Sequence, residues 1–133
     1  MARKQAIIEG ALARISADAD PIDVLAAVGG LEIAALVGFY LGAAAARIPV
    51  IVDGVIACAA LCVADALAPG TSSRVIAGHR STEPAASVAL DHLGLDPVLD
   101  LDLRLGEGTG ACLAVPMVQA ACRALRDMAD LPG

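Results

Sequence analysis

The sequence predicts an α/β fold in which short parallel strands alternate with helices. Two observations predict it. Three times after residue 47, a β-branched or alternating apolar run ends in a polar tip and leads into an apolar segment of helical length. Consecutive strands joined by helical crossovers lie parallel. Hydrophobic residues also make up 58% of the chain while aromatic residues make up 2%. Ala, Val, Leu and Ile must therefore build the core, and small side chains let helices and strands approach closely. The expected architecture is a doubly wound, three-layer Rossmann-like parallel sheet with helices on both faces. Residues 1–133 form one portion of it: helical over 1–47, then strand–helix units over 48–127.

Each element has its own local reason. Residues 1–15 read as an amphipathic helix, with Ile8, Ala11, Leu12 and Ile15 on one face. Asp20-Pro21 starts a second helix, because Asp caps, Pro suits the first helical position and Asp23 favours the positive helix end. Gly29-Gly30 interrupts it, and a third helix, rich in Ala and Gly, covers 31–46. Residues 48–52 read as a buried strand ended by Asp53-Gly54. A buried helix over 55–67 closes at Ala68-Pro69-Gly70. A strand over 74–77 ends in Gly78-His79-Arg80-Ser81, and Pro84 opens the helix over 83–93. Leucines at 99, 101, 103 and 105 alternate with Asp100, Asp102 and Arg104, which is a strand pattern over 98–105. Gly106-Glu107-Gly108-Thr109-Gly110 and a helix over 111–127 follow.

Composition excludes several function classes. The length fits one domain. A net charge of -6, with nine scattered basic residues, argues against a nucleic-acid partner. Any anion site must then rest on backbone amides and one or two placed cations. The apolar run over 33–46 is too short to span a membrane, so a buried helix is the better reading. Arg3 and Lys4 lead into a segment holding Glu9, unlike a secretory leader. Cys58, Cys62, Cys112 and Cys122 form no CxxC pair and stand among apolar residues. They read as buried free thiols of a cytoplasmic protein.

In open parallel sheets, ligands bind beyond the C-terminal strand ends. Three polar tips fall there: Asp53-Gly54, His79-Arg80-Ser81 and the loop around Glu107. The glycines at 106, 108 and 110 match neither a Walker loop nor GxGxxG, which leaves a dinucleotide-dependent oxidoreductase weakly supported. A carboxylate central to the loop would repel a phosphate held there. It would suit a general base with room for a substrate, or else cap the following helix; the residues alone leave both open. Arg104 suits a phosphate or carboxylate contact, or a structural ion pair with Asp100 or Asp102. Asp53 suits sugar hydroxyls or a turn, and Ser81 a phosphate or a helix cap. His79 is a ligand contact or a satisfied structural histidine. His92 receives no role. Glu32 is a buried-looking carboxylate at a helix start or in a site.

Four runs taken together are specific: Val28-Gly-Gly-Leu-Glu-Ile-Ala-Ala-Leu36, Leu41-Gly-Ala-Ala-Ala-Ala-Arg-Ile-Pro-Val-Ile-Val-Asp-Gly54, His79-Arg-Ser-Thr-Glu-Pro84, and Arg104-Leu-Gly-Glu-Gly-Thr-Gly-Ala111. In this order and spacing the chain resembles the nicotinate-nucleotide:dimethylbenzimidazole phosphoribosyltransferases, from about Lys4 to Met128. The resemblance implies transfer of phosphoribosyl from nicotinate mononucleotide to 5,6-dimethylbenzimidazole, with inversion at the anomeric carbon. The products are α-ribazole 5'-phosphate and nicotinate, a step of cobalamin assembly.

By the same resemblance, Glu107 is the catalytic base. Asp53, Gly54, Ser81, Arg104 and Gly106 contact ribose or phosphate, Lys4 meets the phosphate, and Gly29 and Gly30 lie near the nucleotide. No metal or organic cofactor is implied. Family members are longer homodimers. Their N-terminal portion supplies much of the benzimidazole pocket, another acidic residue and several strands, so this chain reads as the C-terminal part. The alternative is a non-catalytic module that binds a nucleotide or a partner, such as a separate N-terminal half.

Overall fold

The computed structural model describes residues 2–105 and 107–128, with Ala2 and Lys4 described through their backbone alone. The element order is α1 (Ala2–Leu12), α2 (Pro21–Val28), α3 (Leu31–Ala45), β1 (Val50–Val52), α4 (Val55–Leu67), β2 (Val75–Ala77), α5 (Pro84–Leu93) and α6 (Thr109–Asp127). A short 3-10 turn, Ser72–Arg74, leads into β2. The strands β1 and β2 pair in parallel, Val50 with Val75, Ile51 with Ile76 and Val52 with Ala77. Helix α4 is the crossover between them, as the repeated strand–helix order requires.

The helices start where local chemistry directs. The Asp20 carboxylate accepts the Ile22 N–H at 2.8 Å at the start of α2, with Pro21 in the first position. Helix α5 also opens on a proline and ends on Gly94 in the left-handed region, where φ is 65°. Helix α4 is the centre of the core. Cys58, Ala60, Leu61 and Ala64 are buried on it, against Val37 and Tyr40 of α3, Leu90 of α5, and Val52, Val75 and Ala77 of the sheet. The 58, 60/61, 64 spacing is the inward face of one helix. The Tyr40 hydroxyl donates to the Ala57 carbonyl at 3.2 Å and ties α3 to α4.

The strand expected over 98–105 does not form. Only Leu99 makes a bridge, parallel to His79. The Val98 and Leu99 amides bond the carbonyls of Ala77 and Gly78 at 2.8 and 3.1 Å. Beyond that the chain leaves the ladder. The Leu101 and Leu103 amides turn to the His79 ring, and Asp102 takes a φ of 52°, outside extended backbone. Alternation was therefore misleading: Leu101 and Leu105 point largely into solvent.

Other expectations are corrected as well. Helix α1 stops at Leu12, and Ile8 and Leu12 on its expected inner face are at least half exposed. Glu32 is exposed rather than buried, with its carboxylate folded back toward Gly30. Of the four cysteines, Cys58 is buried and Cys62 half-buried, whereas Cys112 and Cys122 on α6 are exposed. No helix among the described residues is long and apolar enough to cross a membrane.

Candidate functional site

The C-terminal ends of β1 and β2 and the start of α6 surround a cavity of about 270 Å³. Asp53, Gly54, His79, Ser81, Arg104 and Gly110 are among its lining residues, with Leu103 and Thr109 beside them. Three sequence-distant tips thus meet in one place. The reason is topological, since parallel strands deliver all their following loops to the same edge.

Three helices begin at this cavity. Gly54 and Val55 open α4, Glu83 and Pro84 open α5, and Thr109 and Gly110 open α6. At none of the three does the residue before the first turn cap the helix with its side chain. A helix N-terminus carries roughly half a positive charge and points its first amides outward, so three of them favour an anion, with one amide of α6, that of Gly110, already held by the Asp53 carboxylate. Gly54 makes this possible for α4. Its φ of 85° lies where a side chain is strained, and a Cβ there would meet open space.

A cation and a hydroxyl complete the polar wall. Arg104 lines the cavity and is exposed. Asp100, one of the two carboxylates expected to hold it, faces the Arg80 Nε instead, at 3.8 Å. Arg80 also reaches Ser87 on α5 at 3.5 Å. Ser81 accepts the Glu83 amide at 3.2 Å, which leaves its own hydroxyl proton for another acceptor.

The Asp53 carboxylate is turned inward. One oxygen accepts the Gly110 amide at 2.8 Å, and the other lies 3.9 Å from His79 Nδ1. The contact between α6 and the strand ends is close. A Cβ on Gly110 would come within 2.3 Å of the His79 Cβ and 2.8 Å of the Asp53 Oδ1. Gly78 is crowded too, though less, because its Cβ would meet Ile51 at 2.9 Å and Ala111 at 3.0 Å. These two positions need glycine for want of space.

Glu107 stands on the loop between Arg104 and Thr109, both of which line the cavity, but is not itself among the described lining residues. It is exposed and adopts a φ of 57°. A non-glycine residue there costs on the order of 1–2 kcal/mol, so the flanking structure must hold it.

Gly29 and Gly30 do not join this cavity. They line a second, apolar one with Ile22, Leu25, Ala26, Leu31 and Ala34. Gly106 and the Lys4 side chain lie outside the described residues. Among the described residues no group of three or more His, Cys, Asp or Glu side chains could hold a metal ion. Sequence reasoning brought the loop holding Thr109 and Gly110 to the strand ends without giving either residue a role of its own, and it gave none to Leu103 or Glu83.

Comparison with known proteins agrees with the four runs. A family model described as phosphoribosyltransferase matches residues 1–132. The nicotinate-nucleotide–dimethylbenzimidazole phosphoribosyltransferase of Salinispora tropica is 58% identical over 96% of this chain and 35% of its own length. The enzyme of the same name from Variovorax paradoxus is 51% identical over 98% of this chain and 37% of its own. A crystal structure of the same named enzyme from Thermus thermophilus superposes with a TM-score of 0.84 at 47% identity, covering 89% of this chain and 36% of that one. The chain thus spans little more than a third of the relatives it matches. With this match along nearly its whole extent, the chain belongs to the nicotinate-nucleotide–dimethylbenzimidazole phosphoribosyltransferase family.

Proposed function

We propose that this chain supplies the ribose-phosphate cavity and the catalytic base of an enzyme that moves phosphoribosyl from nicotinate mononucleotide to 5,6-dimethylbenzimidazole. One observation carries the reading: three helix N-termini and Arg104 converge on one cavity beside the Glu107 loop. The phosphate sits against the amides of those helices, with Arg104 as the cation and the Ser81 hydroxyl as a further donor. Gly54 lets the backbone approach the ligand, and Gly106 gives the loop room. Asp53 reaches the ribose only through whatever capacity its two internal contacts leave. Lys4 meets the phosphate, and Gly29 and Gly30 border the nucleotide from the side of the second cavity.

In the transfer, one benzimidazole ring nitrogen attacks the anomeric carbon. The bond from that carbon to the nicotinate nitrogen breaks on the opposite face, and its electron pair neutralises the departing pyridinium. Glu107 takes the proton from the other benzimidazole nitrogen. Holding the two rings in line supplies much of the rate, and the base adds about 10²–10⁴-fold.

The wider architecture follows the same reading. Residues 1–133 are the C-terminal portion of a three-layer Rossmann-like catalytic domain, helical over 1–47 and built of strand–helix units over 48–127. Further strands and much of the benzimidazole pocket come from an N-terminal portion, and the enzyme works as a cytoplasmic homodimer. Large apolar side chains support this: Ile7 and Ile8 of α1, Leu31 and Phe39 of α3, and Leu125 of α6 are at least half exposed.

The test is an assay of the full-length protein with nicotinate mononucleotide and dimethylbenzimidazole. Glu107→Gln is expected to lower kcat by about 10²–10⁴-fold with little change in the KM for the nucleotide. Full activity of that variant, or no transfer by the wild type, would refute the proposal.

A further inference from the structure

His79 is 4% exposed, and its two ring nitrogens are used differently. Nε2 accepts the backbone N–H groups of both Leu101 and Leu103, each at 3.4 Å. An imidazole nitrogen that accepts carries no proton, so the proton is on Nδ1. Nδ1 faces the buried Asp53 carboxylate at 3.9 Å. That same carboxylate, through its other oxygen, accepts the Gly110 amide at 2.8 Å. Leu103 immediately precedes Arg104, and Gly110 immediately follows Thr109.

We infer that His79 is a positioning residue which, paired with Asp53, clamps both ends of the loop that carries Glu107. The inference rests on the catalytic role proposed for that loop. The Asp53 carboxylate, 3.9 Å from Nδ1, favours the Nδ1–H tautomer electrostatically, and that tautomer leaves the Nε2 lone pair to hold the segment entering the loop. Asp53 itself holds the outgoing end at the first turn of α6. Without His79, the nearest backbone anchor before the loop is Leu99, bonded to Gly78 and Arg80. The two backbone anchors on either side of Glu107 then change from Leu103 and Gly110 to Leu99 and Gly110. A longer tether widens the positions open to Glu107, which has to stand in register with a ring proton. A misplacement of about 1 Å at a reacting group can cost about 10² in rate.

The buried ring is not a second base. Nε2 accepts from two backbone donors while Nδ1 faces the carboxylate at 3.9 Å, so the ring's one lone pair is not left to take a substrate proton. Its contribution is acceptor geometry, and that separates it from a residue that merely fills space. Gln at 79 can present a carbonyl oxygen near the place of Nε2, whereas Leu of similar size cannot accept. Asp53→Asn acts from the other side. It keeps an acceptor for Gly110 but turns an amide donor toward His79, favouring the tautomer that places a proton on Nε2 against two N–H groups.

The full-length protein labelled with ¹⁵N in its histidine rings, together with amide hydrogen exchange, tests the clamp without reference to turnover. The expected result is an Nδ1-protonated, Nε2-accepting His79 and slow exchange at Leu101, Leu103 and Gly110. An Nε2-protonated ring, or exchange at Leu101 and Leu103 as fast as at the first amides of α1, overturns it. In turnover, His79→Leu and Asp53→Asn are expected to lose about 10²-fold in kcat, and His79→Gln to recover to within about tenfold of wild type. Gln no better than Leu, or Leu within twofold of wild type, overturns the acceptor role. If Leu prevents folding, the ring spectrum of the wild type and the Gln variant still decide. A wild type that transfers nothing refutes the proposed function, while the tautomer and exchange results still judge the clamp.

Discussion

At the scale of the residue, space and proton placement decide more than polarity. Gly110 is the sharpest case, because any Cβ would sit 2.3 Å from that of His79. Gly110→Ala is expected to push α6 off the strand ends and to cost about 1–3 kcal/mol by overpacking, read as a lowered denaturation midpoint. Tyr40→Phe removes only the bond to Ala57 and is expected to cost about 1 kcal/mol.

Burial also sets an alkaline limit. The Tyr40 hydroxyl is pushed from 10.0 up to about 12 by desolvation, with the nearby Cys58 thiolate opposing ionisation further. Burial pushes the Cys58 thiol from 9.0 up to about 11, with Cys62 and Asp53 adding to it. Both groups hold their protons more tightly folded than unfolded. The stability this brings is complete below pH 9 and is lost as pH rises through about 11 and 12. Urea midpoints measured between pH 8 and 12 should fall steadily above 9, and less steeply in Cys58→Ala.

The sequence spoke clearly where one residue type has one use. Asp20 before Pro21 read as a cap and is one. Asp53 and His79 were harder, since a carboxylate at a strand end serves a sugar and a helix amide equally well. Only the fold brings Gly110, from 57 residues away, to its oxygen.

At the scale of the element, helices were legible and the third strand was not. Helices α2, α4 and α5 carry their own boundaries in Pro21, Gly54, Pro84 and Gly94, which act locally. A strand needs a partner, and residues past Leu99 find a histidine ring instead of a neighbouring backbone. Leucine alternation with Asp cannot report that competition.

Two outcomes belong at this scale. Leu61 is fully buried at the centre of α4, and Leu61→Ala is expected to lower stability by about 2–5 kcal/mol, measured by chemical denaturation. If the helix N-termini take the phosphate, inorganic phosphate should compete with nicotinate mononucleotide. Arg104→Ala should weaken both by about 10–100-fold, since a charge-assisted bond contributes about 1.5–3 kcal/mol. Competition kinetics on the full-length protein measure this.

For the whole molecule, the distribution of exposed apolar residues complements the site. Leu31 and Leu125 are each 89% exposed, on helices remote in sequence from each other. Apolar faces left open in this way associate. The 133-residue chain alone is expected to show concentration-dependent self-association by light scattering, and a monodisperse monomer would count against the idea that other chain covers these faces. The 58% hydrophobic composition announced a core, but composition alone does not say which apolar faces turn inward.

The most direct measurement is the crystal structure of the full-length protein bound to nicotinate mononucleotide. The phosphate is expected within hydrogen-bond reach of Arg104 and the first turns of α4 to α6, with the anomeric carbon turned toward the Glu107 loop. A phosphate bound away from those helix ends, with the cavity between Gly54 and Gly110 holding no part of the nucleotide, would contradict it.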